Sequence, residues 1–486
     1  MVKDEISEKI EKALDYGLEY AKKAGAEFSE AFGLNQRAFN FQIEKNLPKH
    51  NIGILHGMSF RVIANNALGF AYTSSFNKED IKHTVDSAIQ NAKTKKPDPD
   101  LKEFPTSTKS LADLPVDEKL FNISNEEVAA VFEDLILEDL PKNLFFLQAM
   151  GTLGTGDGFL KNSQGIDIHD RDAGYGGGVG FLSVHGFPNY DFHFEGSRKW
   201  GNINGVSIRN IAIDKTLQLA KPRTLSLAGK YPIIIPPDGS YGLMGGLFTI
   251  LNILLRGDKA FRGETPYSDR IGELIAPDNF SLIDDPHHPD MIPSASYDGE
   301  GIPTQKTALI DKGVLQTYYL DAYYAGKLNM ESNGKATRGG GMFGGNPVKS
   351  PPSIGSYSTV IEPGDSSLDE MLTETREGFM LKNFMGIHMS DFSSGRFSVT
   401  GGGWYIKNGE IQFPVQDITI SGTIPQLLKD IDLISKERKK GLNNEVPYLK
   451  VSSLDVTAKK MDFKIRFGMK ILKLLVNLGL VKNPFA

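Results

Sequence analysis

The sequence predicts an α+β fold, in which helix and sheet units at the amino-terminal end precede a larger, mainly β carboxy-terminal domain. Amphipathic helical patterns occupy a few segments, and many short β-rich stretches lie between turn residues. The 486 residues include 51 Gly and 25 Pro, which suits sheets joined by tight turns. At about 100–200 residues per domain, this length predicts two to four domains.

The first predicted unit, residues 1–105, combines two helices with a sheet. Apolar residues recur at helical spacing over residues 4–25, and Asn77 or Ser75 can cap a second helix that ends near Lys93. The β-rich stretches between them are Phe28–Gly33, Ala38–Ile43, Met58–Ala64 and Gly69–Tyr72. A polar segment from Lys96 to about Pro115 is typical of a linker.

The second predicted unit, residues 116–222, is rich in strands. Ser124 and Glu127 form a capping-box pattern, which predicts a helix that continues to about Leu140. Strands are expected at 143–151, 158–162, 165–169 and 177–184, and a helix at 206–220. The run Gly174–Gly178 indicates either a bulge or the close approach of another backbone.

The third predicted unit, residues 228–455, begins with an apolar strand at Tyr231–Ile235 and a helix at Asp238–Leu255. Short strands and turns follow. The tail, residues 456–486, differs because six Lys and one Arg lie between Lys459 and Lys482, where Asp462 is the single acid. Its apolar residues share a helical face, so the pattern predicts a basic amphipathic helix.

Composition excludes several classes of protein. The formal net charge of −6 provides no global basic field, so we expect no nucleic-acid partner. Since the chain has no cysteine, disulfides and thiolate metal sites are excluded. The amino terminus has no secretory pattern, and no run of about 18 apolar residues occurs, so a cytoplasmic protein is expected.

Two local patterns carry possible chemistry. His287 and His288 lie in an acidic, proline-bounded loop, which indicates a solvated turn more than a metal site. Asp298 and Glu300 flank one glycine. They are either an acid/base or oxygen-ligand pair, or a turn whose carboxylates accept hydrogen bonds from backbone amides. Spacing alone leaves both interpretations open, and no histidine pair has HExxH spacing.

An ordered set of short motifs in the third unit resembles the TldD/PmbA family, the "modulator of DNA gyrase" proteins. The motifs, in sequence order, are Gly257-Asp258, Arg262-Gly263, Ile271-Gly-Glu273, Ile283-Asp-Asp-Pro286, Asp298-Gly-Glu-Gly301, Leu309–Leu315, Ser332-Asn-Gly334, Ser394–Ser398, Ile406–Glu410 and Pro414-Val415. Asn162–Gly165 and Gly69–Tyr72 fit the earlier parts of the family pattern. The resemblance covers roughly residues 10–455.

The resemblance directs attention to one helix. In TldD-type members, the helix before the Gly-Asp pair carries an HExxxH motif, whose histidines hold zinc and whose glutamate is the general base. The matching positions here are Phe248, Thr249 and Ile253. None can ligate zinc, and the family's metal-site cysteine is also absent. We therefore expect this helix to pack as plain core, as in the PmbA (TldE) branch.

By this resemblance, the chain is expected to be a non-catalytic subunit of a TldD–TldE-type metalloprotease that acts on unfolded peptides. It is expected to carry no cofactor, and the zinc would belong to a TldD-type partner. The expected assembly is either a complex with that partner or a homodimer. A peptide would pair with an exposed strand edge. The candidate substrate-binding residues are Gly176, Gly177, Asp298, Glu300, Arg338 and Gly340.

Two alternatives remain. One is a self-sufficient metallohydrolase with a relocated site made of His287, His288, Asp298 and Glu300. The other is a scaffold protein that acts through residues 459–482, by docking a partner or by lying on a membrane surface. Packing of this tail on its own domain or across a dimer is favoured over membrane contact, since Gly468 and Gly479 weaken an isolated helix.

Overall fold

The computed structural model describes residues 5–44, 47–106, 112–137, 139–184, 189–219, 221–237, 243–339 and 345–458. In these ranges, a six-stranded sheet with helices forms a first module, and a larger sheet dominates a second module. The predicted α+β class is confirmed. No helix in the described ranges is long and apolar enough to cross a membrane.

The first module contains five helices and six strands in the described part of the chain. Its helices are α1 (Glu5–Lys23), α2 (Lys78–Lys93), α3 (Glu118–Asn122), α4 (Asn125–Glu133) and α5 (Gly205–Gln218). Its strands are β1 (Phe28–Glu44), β2 (Leu47–Ala64), β3 (Ala67–Thr73), β4 (Leu144–Asn162), β5 (Asp167–Ser183) and β6 (Asn189–Ser197).

The first sheet is antiparallel throughout, with the strand order β3-β2-β1-β4-β5-β6. Because side chains alternate between the two faces of a strand, one face carries the apolar residues on which the helices pack. Ile10 and Leu14 of α1 lie over β1, and Phe132 of α4 lies over β4 and β5. In the described ranges, none of these helices contributes a residue to the cavity on the opposite face.

Strands from the first two predicted units pair within this one sheet, since β1 is hydrogen-bonded to both β2 and β4. The β-rich stretches predicted as separate strands merge into long ones. Gly174–Gly178 lies inside β5 in continuous register with β4, so it forms no bulge. It does allow close packing: a Cβ at Gly178 would lie 2.2 Å from the Phe194 ring.

Helix boundaries follow the predicted caps at their amino-terminal ends. Asn77 caps α2, and Ser124 with Glu127 forms the predicted capping box of α4. The predicted end near Leu140 is wrong, because α4 ends at Glu133. The chain then turns at Asp134 and Leu135, where the Leu135 side chain is buried in the same core as Val128 and Phe132.

The second module contains the remaining elements. Its helices are α6 (Leu243–Leu254), α7 (Gly257–Phe261), α8 (Ala322–Lys327), α9 (Leu368–Thr373) and α10 (Ile424–Lys429), with a 3₁₀ turn at Ile387–Met389. Its strands are β7 (Arg223–Thr224), β8 (Leu227–Ile235), β9 (Leu282–Asp284), β10 (Thr307–Asp311), β11 (Val314–Leu315), β12 (Ala336–Thr337), β13 (Ser353–Ile354), β14 (Thr359–Ile361), β15 (Glu377–Met385), β16 (Arg396–Lys407), β17 (Glu410–Thr423), β18 (Ile431–Lys440) and β19 (Asn444–Ala458).

Ten strands of the second sheet follow the order β11-β10-β9-β14-β19-β8-β15-β16-β17-β7, and β18 pairs with β19. Strand β8 is the apolar run predicted from Tyr231–Ile235, and it lies between β19 and β15. Ile233 and Ile235 are fully buried and pack with α6 in the main core. Residues 459–486 of the predicted tail (456–486) lie outside the described residues, as does Gly340, whereas residues 456–458 are the end of β19.

Candidate functional site

Helix α6 carries the three positions that correspond to the family's zinc motif. Phe248 is buried in the main core together with Ile250, Leu251 and Leu254, as predicted. The Thr249 hydroxyl donates a hydrogen bond to the Gly245 carbonyl one turn earlier, at 2.9 Å. Ile253 is half-buried. A phenyl, an alkyl and a hydroxyl bonded to its own helix do not fit a zinc ion.

The face of the first sheet opposite its helices forms an open groove of about 900 Å³. Alternate residues of β1, from Phe32 to Gln42, line its floor. At about 3.3 Å per residue, these ten steps extend over about 33 Å. The second module contributes Ile292, Tyr297, Pro347 and Leu442 to the lining. The groove therefore has the length of an extended peptide segment.

Much of the groove floor consists of glycine residues. Gly154, Gly156 and Gly158 of β4 lie opposite Gly174 and the residues that precede it on β5. A Cβ at Gly154 would meet nothing closer than the Gln36 side chain at 3.6 Å, so a side chain there would extend into the groove. Because these positions lack side chains, the backbone of the sheet is exposed on the floor, and a ligand backbone can approach it closely.

Two of the predicted substrate-binding residues, Gly176 and Gly177, border the groove. Gly176 lies near Ile292 on the groove side, whereas a Cβ at Gly177 would meet the Phe132 ring of α4 at 2.7 Å. The charged residues on the lining are Asp170, Asp172 and Glu195. Arg198 pairs with Asp172, so Asp170 and Glu195 supply the acidic character of the groove margin.

Asp298 lies in a buried turn of the second module and accepts three backbone hydrogen bonds. Its Oδ1 accepts from the amides of Glu300 at 2.9 Å and Ile302 at 3.0 Å, and its Oδ2 accepts from Ala336 at 3.1 Å. Burial, followed by the charge of Glu300, raises the pKa of Asp298. This geometry matches the amide-accepting turn, one of the two interpretations left open by the sequence.

Glu300 belongs to a buried cluster of four charged side chains at the junction of the two modules. Arg61 donates to Glu30 at 2.6 and 2.8 Å and to Glu300 at 3.1 Å. Arg338 donates to Glu30 and to the Gly299 carbonyl. Glu30 and Arg61 come from the first sheet, whereas Glu300 and Arg338 come from the second module. The cluster is neutral overall and joins the modules.

Burial and pairing act in opposite directions within this charge cluster. Burial alone would raise the pKa of Glu30, but the two guanidinium groups outweigh it and hold that pKa below its ordinary value. Arg338 Nη1 is buried and has no hydrogen-bond partner among the described residues. Nearby, burial and the charge of Glu300 raise the pKa of Asp321, whose carboxylate caps α8 at Tyr324.

Comparison with known proteins decides the family. One family model, PmbA/TldA metallopeptidase domain 1, matches residues 35–92, and another, PmbA/TldA metallopeptidase C-terminal domain, matches residues 228–458. The chain belongs to the TldD/PmbA family. This confirms the resemblance drawn from the ordered motifs.

Relatives of this TldD/PmbA protein extend along most of its length. It is 25% identical over 441 residues to a protein of Haemophilus influenzae named metalloprotease PmbA homolog, covering 87% of this chain and 90% of that one. TldE from Thermococcus kodakarensis has the same fold, with a TM-score of 0.77 and 23% identity over 92% of this chain and all of that chain. A Thermotoga maritima protein described as a candidate modulator of a DNA gyrase has a TM-score of 0.79 and 22% sequence identity. The match covers 92% of this chain and 100% of that chain.

The alternative metal set of this family member does not come together. His287 Nε2 lies 2.8 Å from the Thr304 hydroxyl, and His288 Nε2 lies 3.6 Å from Glu445. Asp298 and Glu300 are held by the backbone amides and Arg61 as above. Across the described ranges, no group of three histidine or carboxylate side chains could hold a metal ion.

Sequence reasoning missed Glu30 and Arg61, the first-module half of the charge cluster. Each lies in a strand between small or apolar neighbours, Ser29 and Ala31 for Glu30, Phe60 and Val62 for Arg61. A charged residue within an apolar strand is a signal of a buried pair. The partner could not be identified, because Glu300 and Arg338 are more than 200 residues away.

Proposed function

We propose that this chain is the non-catalytic, TldE-type subunit of a heteromeric metalloprotease that acts on unfolded peptides. The catalytic zinc would belong to a TldD-type partner, and this chain would hold the peptide without a cofactor of its own. The observation that carries the proposal is the chemistry of Phe248, Thr249 and Ile253 on α6, which offers neither a zinc ligand nor a carboxylate base.

The similarity to TldE supports a subunit role, and the relatives named metalloproteases support a link to proteolysis. The groove on the first sheet supports peptide binding. Its length suits an extended segment, and its amide side chains, Gln36, Asn40, Gln42 and Asn51, can bond to a peptide backbone. Such contacts would give affinity with little sequence preference. The proposed roles of Asp298, Glu300, Arg338 and Gly340 in substrate binding remain predictions.

The proposal is tested by purifying the chain alone and together with a TldD-type protein carrying HExxxH. We expect the chain alone to contain no stoichiometric zinc by elemental analysis and to cleave no unfolded casein. The pair should co-elute on size exclusion and cleave casein. Zinc bound stoichiometrically to the isolated chain, together with proteolysis, would overturn the proposal and favour a self-sufficient metallohydrolase.

The groove is tested separately with Gly154→Val. A valine fits a strand, and its side chain would enter the groove without a backbone clash. We expect the pair containing this variant to assemble but to lose most of its casein cleavage. Gly326→Ala on α8, where a Cβ meets nothing within 4 Å, is the control and should cleave normally. Full activity of the Gly154→Val pair would contradict peptide binding in the groove.

A further inference from the structure

A second cavity, of about 770 Å³, lies between the modules on the side of α5 and β6. Residues of β15, β16 and β18 from the second module form its other walls. Phe194, Glu195 and Leu442 border both this cavity and the peptide groove. The volume is within the usual range for small-molecule sites, which is about 300–1,000 Å³.

The charge of this cavity opposes that of the whole protein. Lys215, Lys382, Lys439 and Lys440 line it, against the carboxylates of Glu195 and Asp214. The lining has four positive and two negative groups, and the Asp191 carboxylate beside Lys382 lowers the local charge to +1, whereas the chain has a formal net charge of −6. A concave surface with walls of low dielectric concentrates such a field, so the cavity attracts anions.

Among the described residues, one of the four ammonium groups is paired with a carboxylate. Lys382 Nζ lies 3.3 Å from Asp191 and donates to Gln218 at 2.9 Å. Within the described part of the chain, Lys215, Lys439 and Lys440 have no carboxylate at ion-pair distance. Lys215 belongs to the first module and the two lysines of β18 belong to the second, and all three line one cavity, which suits a ligand with more than one negative charge.

The Lys215 ammonium is positioned by a hydrogen-bonded histidine. Its Nζ lies 3.3 Å from His193 Nδ1, and His193 Nε2 lies 3.0 Å from Glu195 Oε1. An ammonium can only donate, so Nδ1 accepts, and Nε2 carries the proton that is donated to Glu195. Glu195 is thereby engaged by His193, and the charge of Lys215 is left for a ligand.

The second module also contributes flat aromatic surface to the cavity. Trp404 and Tyr448 line the cavity, and both are half-buried against the small core of Ile234, Met371, Met380 and Ile406. This packing limits the movement of the indole, with Lys382 Nζ 5.8 Å from its ring. A planar ring that stacks on Trp404 would gain area burial and aromatic contact.

We propose that this cavity binds a nucleoside diphosphate, with the base on the Trp404 wall and the phosphates at Lys215, Lys439 and Lys440. Lysines bind phosphate as point charges, which requires no glycine-rich loop. The site is independent of whether the chain is catalytic, since none of these residues belongs to α6 or to the peptide groove floor.

The native tryptophans provide the assay. The chain has two, and Trp200 packs on Tyr175 in the first module, so Trp200→Phe leaves Trp404 as the single indole. ADP is titrated into the full-length variant at constant ionic strength, with adenosine and pyrophosphate as separate arms. We expect a saturable change in Trp404 fluorescence with ADP, prevention of that change by excess pyrophosphate, and a response to adenosine at least tenfold weaker.

Lys439→Ala with Lys440→Ala should weaken ADP binding about tenfold, which corresponds to 1.4 kcal/mol. Lys436→Ala on the same strand, which does not line the cavity, is the control and should bind as before. Equilibrium dialysis of ADP with the unmodified chain repeats the test if Trp200→Phe does not fold. No saturable binding at about 1 mM ADP, or equal binding by the double-lysine variant, overturns the proposal.

Discussion

Arg61 Nη2 lies 2.6 Å from Glu30 Oε2 within one sheet, while Arg61 Nη1 reaches Glu300 of the other module at 3.1 Å. The three side chains are at most 8% exposed. A guanidinium has enough donors in a fixed fork to serve two carboxylates at once. Arg61 therefore links the first sheet to the second module, as Arg338 does through Glu30.

Glu30→Gln should be strongly destabilising. The substitution keeps the shape but leaves Arg338 without its carboxylate and Arg61 with only Glu300, and breaking a buried pair costs about 3–5 kcal/mol. The free energy of unfolding in urea measures the change. Glu5→Gln, which breaks an exposed pair with Lys9, is the control and should change it by less than about 1 kcal/mol. Equal effects would contradict the structural role of the cluster.

Asp321→Asn should reduce the pH dependence of stability. The folded-state pKa of Asp321 is raised, chiefly by burial, so the folded chain holds this proton more tightly. Stability from this group is present below its unfolded pKa of about 3.9 and is lost as the pH rises toward the folded value. Asparagine retains the cap to Tyr324 without the charge. At pH 8, we expect the free energy of unfolding of the variant to exceed that of the parent chain by on the order of 1 kcal/mol.

Thermal unfolding of both proteins between pH 4 and pH 8 measures this difference. The stability of Asp321→Asn relative to the parent should increase with pH across this interval. An Asp369→Asn variant, with an exposed carboxylate in α9, should follow the parent profile. A constant difference at every pH would contradict the raised pKa.

Lys335→Met should leave a buried aspartate without its counter-ion. Lys335 Nζ lies 2.6 Å from Asp284 Oδ2, and both side chains are fully buried. Burial already raises the pKa of Asp284, and removing the ammonium should raise that pKa further. We expect a loss of about 3–5 kcal/mol at pH 7 and a smaller loss at pH 5, because protonating the unpaired Asp284 carboxylate costs less free energy at the lower pH.

Denaturant unfolding of Lys335→Met at both pH values provides the measurement. Adding Asp284→Asn should recover part of the loss at pH 7, because it removes the unpaired charge. A loss that is identical at pH 5 and pH 7 would show that packing of the lysine stem, and not charge, is responsible.

Gly69→Ala should destabilise the packing of α2 on the first sheet. A Cβ at this position of β3 would lie 1.8 Å from the Ala88 carbonyl oxygen, and a backbone atom cannot move aside without shifting the helix. We expect a loss of about 1–3 kcal/mol, measured by urea unfolding. Gly154→Ala, whose Cβ has 3.6 Å of space, is the matched control and should unfold near the parent midpoint.

Periodicity and caps were enough to predict α1, α2 and the start of α4, because these features are local. The length of the strands was not predictable in this way. Glycines at 151, 154, 156 and 158 look like breaks in a sequence, but β4 is continuous since it pairs with β1 and β5 on both sides. Pairing between distant segments overrides a weak local preference.

The candidate site likewise combines features that local sequence predicts with features that depend on distant contacts. The Phe248, Thr249 and Ile253 positions could be found by counting from a motif in sequence. The charge cluster, the groove and the lysine cavity each combine residues from both modules, and no spacing rule relates Lys215 to Lys440 or Glu30 to Arg338. Such sites exist only once the two sheets are packed together.

The order of strands in the first sheet limits how this protein can be divided. A fragment ending near residue 106 would keep β1 but remove β4, and one long side of β1 would lose its hydrogen-bonding neighbour. Unpaired strand edges recruit other chains. This amino-terminal fragment should therefore aggregate when produced by itself, and it should stay in solution as a monomer only when the polypeptide continues through β6.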